Sequence, residues 1–414
     1  MRNFLGLSLN LILVLTFSAA KSQSYFLFVG TYTNTGNLNG ATTLDSTGSK
    51  GIYVYRFDAA TGEATPISHT ESVCNPSYLA IAPDGAHLYA CTESRMLDKG
   101  SVSAFRFDRN SGQLQFINKV SSGGDNPAYV SVNHSGNWVV VANYTGGSLS
   151  VFPVRADGGL WTFIEDIQHF GHGINPARQE KAHVHSALFS PDSGQHYLYV
   201  QDLGLDKIMI EPFDETALAP VGHGGLPVAV RTTRPLLPVQ DTAEQKPAMM
   251  LSTTPGSGPR HLVFHPNGKF AYLVEELGGS VDVYRFQPAT GRLDSLQRIA
   301  AHPGDAKGPF RSADIHVSPD GRFLYTSNRA ETTIAIFSID PATGLLKAVG
   351  YVPTMGTEPR NFTLDPTGKW LLVANQDSNS IVVFRVNSKT GMIKPTGLTL
   401  SVPAPTCLIY LIKK

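Results

Sequence analysis

The residues best suited to chemistry come into view when a repeat of roughly 50 residues is aligned on its turn glycine. Near the start of the first strand of each copy stand Ser77, Ala128, His185, Arg260, Ala313 and Arg360. Near the end of the second strand stand Glu93, Tyr144, Asp202, Glu276, Arg329 and Gln376. Their neighbours add His183, His261, Asp314, His316, Asn143, Asn328, Asn361 and Asn375. Arginine forks suit carboxylate, phosphate or a developing oxyanion. Histidine or glutamate beside them can move a proton. In a hairpin the start of one strand and the end of the next share one end, so both sets should ring one mouth of a closed repeat. Charges gathered there from several copies point to an anionic small molecule bound beside acid–base groups.

Other chemistries find little support. His183-Val184-His185 offers two ligands on one face of a strand with no third in view, so no catalytic metal is expected. Neither a Gly-x-Ser-x-Gly elbow, nor a P-loop, nor a His-Glu-x-x-His helix is present, and no cofactor is expected. Lys+Arg and Asp+Glu number 33 each. Without a basic stripe, the chain has no electrostatic footprint for nucleic acid. Cys74, Cys91 and Cys407 are too few and too irregular for a disulfide framework. Buried small hydrophobes are expected at all three, with one bridge through Cys74 as the alternative. The sequons at Asn133, Asn143 and Asn361 fall inside inner hairpins, where glycosylation is not expected.

The elements that must position these residues are short strands. One copy runs Asn75-Pro76-Ser77-Tyr78-Leu79-Ala80-Ile81, turns at Asp84-Gly85, and continues through His87-Leu88-Tyr89-Ala90-Cys91 to Ser101–Phe107. Others turn at Ser135-Gly136, Asp192-Ser193-Gly194, Asn267-Gly268, Asp320-Gly321 and Thr367-Gly368, most of them with hairpin chemistry. A second turn, Ala-Thr-Gly, recurs at 60–62, 289–291 and 342–344. Six full copies are visible. A seventh forms from the two ends, with Ser24–Val29 and Gly51–Phe57 completed by Ala404–Tyr410. The expected fold is therefore all-β: a seven-bladed propeller of four-stranded antiparallel blades, closed by both termini in one blade. Residues 1–23 read as a secretory signal, with Arg2 followed by an apolar run and small residues at Ser18-Ala19-Ala20. Residues 24–414 form one propeller domain, interrupted by a Pro- and Gly-rich insert at 214–253. The mature chain is expected outside the cytoplasm, periplasmic or extracellular, with no membrane span. A propeller this size buries its own core, so a monomer is expected.

Gly30-Thr31-Tyr32-Thr33, Asn75-Pro76, Asn143-Tyr144, His183-Val184-His185-Ser186, Asp202-Leu203-Gly204, Gly258-Pro259-Arg260-His261, Glu276-Leu277, Ser327-Asn328-Arg329 and Pro359-Arg360-Asn361 carry a resemblance through all seven copies. The chain resembles the lactonase family of propellers, which includes 6-phosphogluconolactonases and carboxymuconate-lactonising enzymes. That resemblance implies chemistry on lactones of sugar acids or related organic acids. It also implies a site of His185 (or His183), Glu276, Arg260 and Arg329. Arg260 and Arg329 are expected to hold the anionic or carbonyl end, and Glu276 or His185 to act as general base. His183, Arg360, Asn361, Asn143, Tyr144, Asp202 and Asn328 are expected to contact the substrate. Ring closure of the muconate type, or ligand binding without turnover, would use the same parts. The better-known members act inside cells on a phosphorylated lactone, whereas an exported chain would meet few such esters.

Overall fold

The computed structural model describes residues 23–34, 46–71, 73–93, 100–215, 231–232 and 249–412. Nearly all of the expected signal and most of the 214–253 insert lie outside the described residues. Among the described residues seven sheets are formed, each built on four antiparallel strands that run in sequence order from the axis outwards except in the closing blade, whose innermost strand is the C-terminal one. The first strands lie against one another in a closed ring. The closing blade pairs Pro405–Leu411 with Ser24–Thr31, followed by Tyr53–Asp58 and Ala64–His69. The expected seven-bladed, terminus-closed propeller is thus the observed one. One blade carries a fifth, two-residue strand, Arg231–Thr232, parallel to Glu165–Gln168. Part of the stretch read as an insert is regular structure, because Met249–Ser252 is the outer strand of its blade.

Burial follows strand position. Second strands such as Trp138–Asn143, Tyr197–Asp202 and Phe270–Glu275 are buried along their whole length. These sheets are covered on both faces by neighbouring blades, so the strands read as continuous apolar runs. Outer strands such as Ile393–Ser401 alternate or are mostly exposed. The Ala-Thr-Gly turns prove to be points of contact between blades. Tyr272 donates its hydroxyl to the turn carbonyl of Gly344 at 3.0 Å, and Tyr325 does the same at 2.8 Å to Gly391 of the related turn Lys389-Thr390-Gly391. A side chain at Gly62 would meet the Trp370 ring at 2.7 Å, and one at Gly291 would meet Tyr197 at 2.7 Å. Both glycines also have positive φ, so no other residue fits them easily.

Candidate active site

Each first strand begins with a bulge. Register shifts lie between Pro76 and Tyr78, Pro127 and Tyr129, Val184 and Ser186, Pro259 and His261, and Pro359 and Asn361. The skipped residues are Ser77, Ala128, His185, Arg260 and Arg360. A bulge re-aims a side chain that regular pairing would fix. The blade starting at Ser312 has a wider shift, to Ile315, which takes Ala313 and Asp314 out of register. A second ring follows the second strands. Tyr32, Glu93, Tyr144, Leu203, Glu276, Arg329 and Gln376 each donate a backbone N–H to the residue before a bulged strand, over 2.8–3.1 Å. This sevenfold bond brings bulge residue and post-strand residue to the same mouth.

Leu203, and not Asp202, is the member of the second ring in its blade. The Ser190–Tyr197 connection is two residues longer than its counterpart at His265–Phe270. Gln195 there takes the positive φ that Gly85, Gly136 and Gly268 take elsewhere. Alignment on Gly194 therefore shifts the second strand by one. Asp202 is instead fully buried, bonding His169 Nδ1 at 2.7 Å and accepting from the backbone of His183 and Leu205. Asn143 and Asn328, expected to contact the substrate, are also engaged in the scaffold. Their amides donate to Ser122 O and Ala301 O, and Asn375 does the same to Thr354 O. Successive strand residues point to opposite sides, so these fix the entry to the next blade while the following residue faces the mouth.

Three guanidiniums converge on Glu276 at the candidate site. Its Oε2 lies 3.0 Å from Arg260 Nε and 3.0 Å from Arg329 Nη2, and its Oε1 lies 2.6 Å from Arg178 Nη2. Burial works against the charge, but Arg329, Arg178 and Arg260 more than reverse that and hold the carboxyl well below the usual carboxylate range. His185 Nε2 lies 3.9 Å from Glu276 Oε2. Burial first, then the Arg260 charge, push this imidazole well below the usual histidine range, so it is neutral at pH 7. Among the described residues its buried Nδ1 has no hydrogen-bond partner. The Tyr144 ring meets His185 edge-on and stacks on His183 at 4.7 Å. His183 bonds Glu180 at 3.0 Å and Tyr144 O at 3.1 Å, which makes it a support behind Tyr144.

Across the mouth, Arg360 Nη2 lies 3.3 Å from Glu93 and its guanidinium sits 5.3 Å from the Tyr32 ring centre. Arg329 and Arg311 share Glu358, at 3.3 and 2.7 Å. Beneath Arg260, His261 Nδ1 bonds Asp314 at 2.8 Å, and His316 bonds the other oxygen at 2.9 Å. Burial and the Arg260 charge push His261 down to about 4. Asn361 donates to Asp314 at 2.5 Å and accepts from Leu408 N at 2.7 Å. Asn361 therefore joins the closing strand to this buried layer.

Arg178 lies outside the repeat pattern because the 169–183 connection between blades is longer than its counterparts at 122–126, 301–311 and 354–358. The one signal there was the polar run Arg178-Gln179-Glu180-Lys181. A serine–histidine–carboxylate set at Ser312, His302 and Glu331 also exists, but Ser312 is fully buried and donates to Asn328. Among the described residues no cluster of His, Cys, Asp and Glu could hold a metal. Cys91 and Cys407 are buried as expected, whereas Cys74 is exposed, and all three are free thiols.

The family described as lactonase, 7-bladed beta-propeller, matches residues 26–228 and 238–410. A 6-phosphogluconolactonase of Formosa agariphila is 38% identical over 341 residues, 82% of this chain and 86% of that protein. The 6-phosphogluconolactonase of Bacillus subtilis is 32% identical over 94% of this chain and 98% of its own. The solved periplasmic gluconolactonase of Pseudomonas aeruginosa superposes with a TM-score of 0.79 at 34% identity, covering 94% of this chain and 99% of that one. With its blades, its bulged ring and its clamped glutamate, the chain belongs to the seven-bladed β-propeller lactonase family.

Proposed function

We propose that this protein hydrolyses lactones of sugar acids at the channel mouth around Glu276. One observation carries the reading: an ionised, buried Glu276 is held by Arg260, Arg329 and Arg178 beside a neutral His185. Glu276 is too firmly ionised to be an effective proton acceptor, so the base is His185. Its imidazole takes a proton from water as the hydroxide oxygen adds to the lactone carbonyl carbon. Arg260 and Arg329 stabilise the oxyanion that forms, and the Glu276 charge steadies the imidazolium. Collapse of the tetrahedral centre breaks the ring C–O bond, and the departing alkoxide takes the proton back from His185. The product is the open hydroxy acid, which ionises in solvent.

The test is acid release from glucono-δ-lactone, corrected for the spontaneous rate. Loss of the base in His185→Gln is expected to lower kcat by about 10²–10³-fold. Wild-type turnover with an unaffected His185→Gln variant removes the base assignment. No wild-type turnover on any sugar lactone removes the enzyme reading in favour of a binding protein. Export is part of the same proposal. It is supported by the leader-like residues 1–23 and by the periplasmic relative. Among the described residues no helix is long and apolar enough to cross a membrane. N-terminal sequencing of the mature protein should begin near residue 24; an intact Met1 end counts against export by cleavage.

A further inference from the structure

Three guanidiniums meet at Glu276, and they are not equivalent. Arg260 and Arg329 grow from the propeller rings, and their side chains are 2% and 6% exposed. Each has further bonds: Arg260 to Ala313 O and His261, Arg329 to Arg311 O and Glu358. Arg178 comes from the connection outside the repeat, and its side chain is 39% exposed. Among the described residues every bond of its side chain runs through Nη2, to Glu276 at 2.6 Å and to the Tyr144 hydroxyl at 3.2 Å. Nε–H and Nη1–H are left for a ligand, as single charge-assisted donors, because both hydrogens of Nη2 are taken by Glu276 and Tyr144.

The backbone carrying Arg178 is built in. The next residue, Gln179, is fully buried and donates to Leu203 O at 2.8 Å and to Asp206 at 2.7 Å. Its own Oε1 accepts from Asn175 N at 3.1 Å. Asp206 also accepts from Gly256 N and Gly258 N, at 2.6 and 2.8 Å, just before the bulge that presents Arg260. Arg178 and Arg260 are thus referenced to one another through Asp206. An arginine fixed at its base, half out in solvent and with Nε–H and Nη1–H uncommitted beside the reacting centre is placed to read the far end of the substrate.

Resting on the lactonase reading above, we propose that Arg178 is the specificity residue. It binds a second anionic group, a phosphate ester or a carboxylate, carried by the lactone away from its acyl carbon. Neutral lactones of the same ring lack that contact and rely on Arg260 and Arg329 alone.

The experiment compares kcat/KM for glucono-δ-lactone, its 6-phosphate and its 6-carboxylate analogue in the wild type and in Arg178→Gln and Arg178→Lys. The glutamine variant loosens Glu276 and lowers all three. The loss on the anionic lactones is expected to exceed the loss on the neutral one by roughly 10-fold or more, the scale of a charge-assisted bond, and to appear mainly in KM. The lysine variant keeps a charge without the fork and is expected to retain part of the preference. A greater loss on the phosphate than on the carboxylate, or the reverse, identifies which anion the site is built for. Parallel losses on all three substrates, or a wild type with no preference for either anion, overturn the role of Arg178 while leaving the lactonase reading intact. A wild type that turns over none of them overturns both.

Discussion

Two rings of residues stand one position apart at the mouth of this propeller, and they follow opposite rules. The strand-end ring holds Thr31, Thr92, Asn143, Asp202, Glu275, Asn328 and Asn375. The three asparagines do the same work in their blades, each closing on a carbonyl of the segment that enters the blade. The next ring holds Tyr32, Glu93, Tyr144, Leu203, Glu276, Arg329 and Gln376. Its members share a backbone bond and almost nothing in their side chains. In a repeat protein, positions with a common structural task look alike from copy to copy. Positions that build one asymmetric site must differ, because each blade supplies a different part of it. Diversity at equivalent positions therefore marks the site, and sameness marks the scaffold.

The sharpest way to break this comparison uses adjacent residues. Glu276→Gln removes the charge that holds three guanidiniums, and kcat/KM is expected to fall by about 10²–10³-fold, the scale of a lost preorganised electrostatic partner. Glu275→Gln, one residue away and facing Ser257 and Ser280 at 2.7 Å each, is expected to stay within about 3-fold of wild type, since no oxyanion or substrate partner is touched. Steady-state rates on one lactone decide it. Equal losses in the two variants would mean that the rings do not divide the work as the geometry implies.

A smaller effect is expected in the scaffold ring. Asn143→Ala leaves Ser122 O without its 3.0 Å donor and removes contacts to Ser148 and Ser150. Ser122 O keeps the Ser150 hydroxyl at 2.6 Å, so the cost is that of the lost amide hydrogen bonds, about 1 kcal/mol, to be read as a lower denaturation midpoint. KM should hold, because Tyr144 and not Asn143 faces the mouth. A raised KM at unchanged stability would return Asn143 to the substrate, as the sequence alone had it.

How far the sequence could be read follows from what the repeat reports. Turn glycines with alternating apolar runs are local signals, so the blade pattern and the closing strand were legible. His185, Arg260, Glu276, Arg329 and Arg360 emerged because charged residues interrupt apolar strands at equivalent positions. Asp202 was misplaced because a left-handed turn residue need not be glycine, and Gln195 took that part in a connection of unusual length. Arg178 is invisible because the extra residues of a lengthened connection have no equivalents to align with, and only its 2.6 Å contact with Glu276 reveals it. The general base was left open between His185 and Glu276. Protonation depends on how many guanidiniums converge on a carboxylate, and that is a property of the assembled ring.

The smallest effect concerns the scaffold member that departs from its peers. Glu275 stands where three other blades place asparagine, and burial and the neighbouring Asp282 push its carboxyl up to about 7. Asp282 is raised as well, chiefly by burial. Both lean on Arg298, whose one charge cannot serve two carboxylates equally. A protonated carboxyl offers one donor and one acceptor, much as the amide does in the equivalent blades. A group protonated more readily in the folded than in the unfolded chain stabilises the fold below its unfolded value, and that stability is lost as pH rises through about 7. The denaturation midpoint should therefore decline between mild acid and neutrality, with a slope of at most about 1.4 kcal/mol per pH unit for one proton. Glu275→Gln makes the amide permanent and should flatten that slope while raising stability at pH 8. A wild-type midpoint that climbs towards pH 8, or a variant that keeps the decline, would show that Glu275 is ionised in the folded blade and that the strand-end ring tolerates a charge.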